Sequence, residues 1–349
     1  MGAEHMFYEL AEKIIEIERS GRKVVKLNIG DTNLPAPEVA VEAARKALES
    51  PTGYGSSAGM RELRELAAGR EGCAVENIVV GPGSKHLIYG LVSVLAKKGG
   101  KIAVPGPSWP MYHLACKSLG LEFESVKTEM GGNWQFEAMP KADIAVICNP
   151  NNPTSTIYGK AKVEEAIEDA RRRKSYAILD EAYRDLAFDP VPKFDCIRVR
   201  SFSKEFSMEN WRLGYAVVPK EVANKLVAYN QITATCVAPF VQAAGAACLE
   251  NEKAILAENR RIWKARMDAA APALRHAGFK FADPQSAMYI FATHDGISDA
   301  GKFAMKLLEA GVAVAPGADF GEKKFFRIAC NQEPSVLKEA IGKMGEAAR

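Results

Sequence analysis

Apolar positions along this chain switch between two periods. In residues 39–50, Ala40, Ala43, Ala44, Ala47 and Leu48 fall on one helical stripe, and residues 61–70 read as a second short helix. Short β runs follow: NIVV (77–80), KIAVP (101–105), DIAVIC (143–148), YAILD (176–180), CIRVRSF (196–202) and YAVV (215–218). Several are continuously apolar, as strands covered on both faces are. Helical patterns at 84–98, 109–119 and 162–174 intervene, an alternation that builds a mostly parallel sheet. After Glu250 comes a long charged helix, then strands MYIFAT (288–293) and FFRIAC (325–330) with helices near 299–310 and 335–347. The pattern predicts a large α/β domain over residues 34–249, with residues 1–33 and 250–349 forming a smaller α+β domain. No internal repeat or low-complexity linker separates them.

Length agrees with two domains, since 349 residues exceed the ~250–300 at which single cores stop growing. Charge narrows the partners. The 46 basic and 43 acidic residues are mixed throughout, which gives no basic face for nucleic acid and makes a small anion the better target. Seven dispersed cysteines without a CxxC pair read as reduced cytosolic thiols, and five scattered histidines give no metal spacing. The start, MGAEHMFYELAEKII, lacks the apolar core of a signal peptide or anchor, so a cytoplasmic protein is expected. Residues 229–249 carry no charge, yet Asn230, Gln231, Thr233, Thr235, Pro239, Gln242 and Gly245 interrupt them. They read as a buried helix or subunit interface and not as a membrane span.

Four segments carry candidate chemistry. Gly81-Pro82-Gly83-Ser84-Lys85-His86 lies between a strand and a helix start, where free N–H groups and the helix dipole favour a phosphate. Ser201-Phe202-Ser203-Lys204, with Arg212 eight residues after the lysine, gathers hydroxyls and cations at the end of a β run, where α/β sheets place ligands. Asp180-Glu181-Ala182-Tyr183 closes the strand YAILD, so Asp180 suits a cation, a ribose hydroxyl, a ring nitrogen or a simple cap. Asn149-Pro150-Asn151-Asn152-Pro153-Thr154 forces a tight extended turn, and turn chemistry alone accounts for it.

In order, GPGSKH, PGPSWPMY, NPNNPTST, DEAY, SFSKEF, WRLGY and FFRIAC resemble the fold type I, class I/II pyridoxal-phosphate aminotransferases over nearly the whole chain. The resemblance implies a large domain with a mostly parallel seven-stranded sheet covered by helices, plus the smaller domain. It also implies pyridoxal 5′-phosphate as cofactor and exchange of an amino group between an amino acid and a 2-oxo acid. Lys204 becomes the lysine that forms the Schiff base with the cofactor and then shuttles the proton. Asp180 faces the pyridine nitrogen and keeps it protonated, Tyr183 and Asn152 reach the phenolic oxygen, and Trp109 stacks on the ring. Ser201, Ser203 and Arg212, with backbone N–H groups around Gly83, Ser84 and Lys85, hold the phosphate. Arg327 grips the substrate α-carboxylate, which Gly30 and Asn152 also approach; a buried strand arginine lacking such a partner would be costly. Tyr54 resembles the tyrosine that reaches the phosphate of the neighbouring subunit, which implies a homodimer.

The chain departs from the family where glycine is usual, at Ser155, Ser207 and Asn210, and often at Ala287. A left-handed backbone is easiest to accept at Asn210. DEAY and the short length also resemble histidinol-phosphate aminotransferases, and a carbon–sulfur lyase or decarboxylase shares every motif. A cofactor-binding regulator is the third class, disfavoured by the lack of a DNA-binding segment before residue 30.

Overall fold

The computed structural model describes residues 3–50 and 53–349. A seven-stranded sheet has the order 78–81, 214–217, 197–201, 176–180, 144–148, 101–105, 122–126. Gly214–Val217 pairs antiparallel with both its neighbours, and every other pairing printed for this sheet is parallel. Six strands therefore run the same way, and Gly81, Pro105, Cys148, Asp180 and Ser201 all reach one edge. The continuous apolar runs explain the burial: Ile78–Gly81, Ile144–Cys148, Ile197–Ser201 and Gly214–Val217 are buried at every position. On one face, Leu87, Ile88, Leu91 and Val92 of the helix Ser84–Leu95 pack on Val79, Ile102, Val146 and Ile178. On the other, Val163, Ala166 and Ile167 pack on Ala145, Ile147 and Leu179. Each of the Val, Leu and Ile side chains among them contributes about 1.5–3 kcal/mol of burial.

The seventh strand, Glu122–Val126, has no counterpart among the six sequence-read runs of the large sheet. It lies at the edge, parallel to Lys101–Pro105, and its exposed Glu122 and half-buried Glu124 make ion pairs with Lys101, charges that discourage further strands from pairing there. The uncharged stretch 229–249 is two elements. Lys220–Thr233 ends inside it, and Pro239–Glu250 begins a second helix that packs on Glu38–Leu48. Among the described residues no helix is long and apolar enough to cross a membrane.

A second sheet pairs Phe326–Ala329 with both Ala315–Pro316 and Tyr289–Ala292, antiparallel. Helices Glu252–His276, Ala300–Glu309 and Pro334–Ala348 cover it. Val25–Lys26 pairs parallel with Val312–Ala313, which ties the chain's beginning to this smaller core.

Strand alternation turns Arg198 and Arg200 away from Ser201, into a buried ionic cluster. Arg200 meets Glu205 at 3.1 Å and also Asp185; Arg198 meets Glu71; Arg70 reaches Glu252 at 2.7 Å. Burial raises the Glu71 carboxyl, but Arg200 and Arg198 outweigh it and hold the group at about 2. For Glu205 burial wins over Arg200 and pushes the carboxyl up to about 7.

Two of the missing glycines stand where a glycine is wanted: Ser155 has φ 55° and Ser207 φ 53°. The third does not, because the positive φ falls on Arg212 (55°) and Asn210 sits in the short turn Glu209–Trp211. The Ser155 hydroxyl offsets its strain by accepting the Tyr289 N–H at 3.1 Å, whereas the buried Ser207 hydroxyl has no partner. Ser207→Gly is therefore expected to raise stability by about 0.5–1 kcal/mol, and Ser155→Gly, which forfeits a hydrogen bond, to leave it level or lower. Urea denaturation midpoints check the opposite signs.

Candidate active site

The common strand edge opens on a cavity of about 510 Å³. Ser84, Lys85, Trp109, Asn152, Asp180, Tyr183, Ser201, Ser203, Lys204, Arg212, Arg327 and Gly30 all line it, so twelve of the fourteen sequence-selected residues converge. Gly83 stands directly behind. Its φ is +86°, and a Cβ there would fall on the Arg212 guanidinium. Tyr54 is apart from them, 94% exposed on the surface of this chain.

Each position follows from a local rule. Ser84 opens a twelve-residue helix, whose first N–H groups have no intrahelical acceptor, and Ser84 and Lys85 of its first turn line the cavity. Gly214 is forced by crowding: a Cβ would meet the Arg200 carbonyl at 2.7 Å and the Ser84 nitrogen at 2.9 Å. Ser201 caps the short helix Phe202–Glu205 by accepting the Ser203 N–H, and this turn presents Ser203 and Lys204 together.

Asp180 is buried at the end of its strand. Tyr112 Oη donates to its Oδ2 at 2.7 Å and the Ala182 N–H to its Oδ1 at 3.1 Å. Burial pushes the carboxyl up to about 6, against those two donors. Such a group accepts a cationic N–H readily, because the ion pair offsets the cost of its buried charge.

On the other side, Asn152 bridges two roles. Its Nδ2 donates to Tyr183 Oη at 3.2 Å while its Oδ1 accepts from Arg327 Nη1 at 3.0 Å. Arg327 Nη2 donates to the Asn28 carbonyl at 2.8 Å, and the guanidinium lies between the Tyr289 and Phe320 rings at 4.3 and 4.9 Å. Its Nε is buried without a partner. Gly30 has a steric reason as well, since a Cβ would fall on the Tyr289 hydroxyl. Lys85 places Nζ 5.4 Å from the Trp109 ring centroid, and burial, then Arg212 and Lys204, lower its pKa.

Tyr112, Tyr289 and Glu209 also line the cavity and were not among the sequence candidates. Tyr112 stands inside the PSWPMY motif, which was the available signal. Among the described residues no cluster of three or more His, Cys, Asp or Glu side chains suits a metal ion, and all seven cysteines are free.

A family model described as Aminotransferase class I and II matches residues 22–344. The chain belongs to that family. The aspartate aminotransferase of Thermococcus kodakarensis is 34% identical over 332 residues, 92% of this chain and 87% of that one. The aspartate/prephenate aminotransferase of Thermus thermophilus is 30% identical over 354 residues, 94% of this chain and 92% of that one. Among solved structures, the aspartate aminotransferase of Thermotoga maritima superposes with a TM-score of 0.92 at 28% identity, covering 98% of this chain and 96% of that one. This chain is thus a pyridoxal-phosphate-dependent aminotransferase of fold type I, as the motif order implied.

The residues present fit that cofactor. The glycines at 83 and 214 keep open a cradle beside Arg212 and the helix N-terminus that suits a phosphate, and the buried Asp180 suits the ring nitrogen.

Proposed function

We propose that the amino donor is a dicarboxylic amino acid, aspartate in the first instance, and the acceptor a 2-oxo acid. Two cations carry this reading. Arg327 and Lys85 both line the cavity, and among the described residues neither forms an ion pair with a carboxylate. Arg327 offers a planar fork for the α-carboxylate, and Lys85 a point charge for the second one. Relatives named aspartate aminotransferases favour the same donor.

Bound pyridoxal phosphate supplies an aldehyde that condenses with amines and a protonated ring that withdraws electrons from the donor's Cα bonds. Around it, Arg212, Ser201, Ser203 and the N–H groups of Ser84 and Lys85 hold the phosphate. Asp180, itself held by Tyr112, keeps the ring nitrogen protonated. Tyr183 and Asn152 donate toward the phenolic oxygen, and Trp109 closes one face of the ring. Arg327, with Asn152 and the backbone at Gly30, orients the donor so that Lys204 Nζ takes the proton from Cα and later returns it. Tyr54, too exposed to serve its own chain's cavity, is assigned to the phosphate site of a second copy in a homodimer.

The test is loss of the visible band of the cofactor-loaded enzyme on titration with aspartate, glutamate, phenylalanine, LL-diaminopimelate or histidinol phosphate. Aspartate should discharge the band and a 2-oxo acid restore it; turnover without 2-oxo acid would instead indicate a lyase. Lys85→Met is expected to lower kcat/KM for aspartate about 30-fold, the value of one charged hydrogen bond, and that for phenylalanine less than about threefold.

A further inference from the structure

Tyr289 does more than pack on Arg327. Its hydroxyl lies 3.2 Å from that of Tyr183, the two rings meet edge to face at 5.6 Å, and both side chains are buried. Three restraints fix the place of that hydroxyl: Tyr289 pairs with Ala329 in the smaller sheet, its N–H donates to Ser155 Oγ at 3.1 Å, and its ring lies on the Arg327 guanidinium. Gly30 leaves room for it, since a Cβ there would occupy the same space.

Counting protons assigns a direction to each bond. A guanidinium only donates, so Arg327 fixes the Asn152 amide with Oδ1 toward itself and Nδ2 toward Tyr183. Tyr183 Oη accepts from Asn152 and is left with one proton and one lone pair to place. Burial, and next the neighbouring Tyr289, raise the Tyr183 phenol, so it keeps that proton at neutral pH. If Tyr183 donated to Tyr289, its only proton would be spent there, and the Tyr289 proton would have no acceptor among the described residues. If Tyr289 donates, both protons are used: its own on Tyr183, and that of Tyr183 toward the cavity, where the phenolic oxygen of the cofactor takes it. A hydroxyl that accepts two hydrogen bonds is also polarised into a stronger donor.

We propose that Tyr289 is a positioning residue whose hydroxyl donates to Tyr183 and thereby commits the single Tyr183 proton to the cofactor's phenolic oxygen, while its ring steadies the arginine that receives the donor's carboxylate. The proposal rests on the reading of Tyr183 as the partner of that oxygen.

The experiment is a pH titration of the visible band of the cofactor-loaded enzyme. Unfolding midpoints show that each variant is folded, and steady-state kinetics with aspartate are measured alongside. A hydrogen bond to the phenolic oxygen draws off negative charge that would otherwise hold a proton on the Schiff-base nitrogen, so weakening that bond lets the proton, and the band, persist to higher pH. Tyr289→Phe removes one oxygen and keeps the ring; its midpoint is expected to rise by about 0.5 pH unit, with KM within about twofold of native. Tyr183→Phe should rise by about one unit, and Tyr183→Phe combined with Tyr289→Phe no further, since Tyr289 acts through Tyr183. Tyr289→Leu should repeat the 289 shift and also raise KM about fivefold, because Arg327 loses the ring. A Tyr289→Phe midpoint within about 0.1 unit of native, or a double variant whose shift is the sum of the two single ones, would overturn the proposal. A native midpoint in Tyr183→Phe would instead remove the Tyr183 reading beneath it, so the two failures are told apart.

Discussion

In the Lys204→Ala protein the visible band that pyridoxal phosphate gives with the native enzyme is expected to be missing, and turnover to fall by about 10⁴-fold. The size follows from two losses at one atom. The amine no longer anchors the aldehyde, and no other base in the cavity stands where Lys204 Nζ does, while a positioned acid–base group alone is worth about 10²–10⁴-fold. Phosphate binding by Arg212, Ser201 and Ser203 survives, so the variant should still bind the cofactor, with affinity reduced and readable by fluorescence quenching. Retained turnover within about tenfold of native would mean that a different lysine does the work.

Asp180→Asn is the second large effect. The amide keeps an acceptor for the Ala182 N–H but cannot hold a proton on the ring nitrogen, and kcat is expected to fall about 10³-fold with KM little changed, as for removal of one fixed electrostatic partner. Its stability should move the other way. Burial raises the Asp180 carboxyl from its ordinary 3.8 to about 6 in the folded protein without cofactor. A carboxyl raised on folding favours the folded state fully below the unfolded value, near pH 4, and that contribution is lost as pH rises through about 6. Cofactor-free Asp180→Asn should therefore gain on the native protein between pH 4 and 7 in thermal unfolding, and bound cofactor should reverse the order.

The site was legible because many of its residues sit at predictable places, at or just after the ends of strands that run the same way in the large sheet. A strand end announces itself by an apolar run that stops, and Asp180, Ser201 with Lys204, and Asn152 each follow such a stop. What stayed hidden depends on partners far away in sequence. Tyr112 acquires its meaning from Asp180, 68 positions on, and Tyr289 from Tyr183, 106 positions back. Glu209 is near Lys204 in sequence, but a carboxylate in a charged turn reads as solvated until its contact with Thr32 is seen. The edge strand Glu122–Val126 was missed for a related reason. Its apolar content is low because one side faces water, so the signal that finds buried strands is absent from it. Asn210 shows the limit of residue preference: the left-handed backbone went to Arg212, whose place opposite Gly83 fixes it more strongly than local propensity does.

The turn from Arg200 to Glu205 faces two ways, with Ser201, Ser203 and Lys204 toward the cavity and Arg200 and Glu205 toward the ionic cluster behind the sheet. Unpairing one member of such a cluster leaves a buried charge and costs about 3–5 kcal/mol. Six successive residues are thus answerable to reaction and to folding at once, and genetic variation there has little room to drift. On the proposed reading, a change of donor would fall on Lys85 or on the wall near Gly30, where a side chain can change without unpairing the buried cluster.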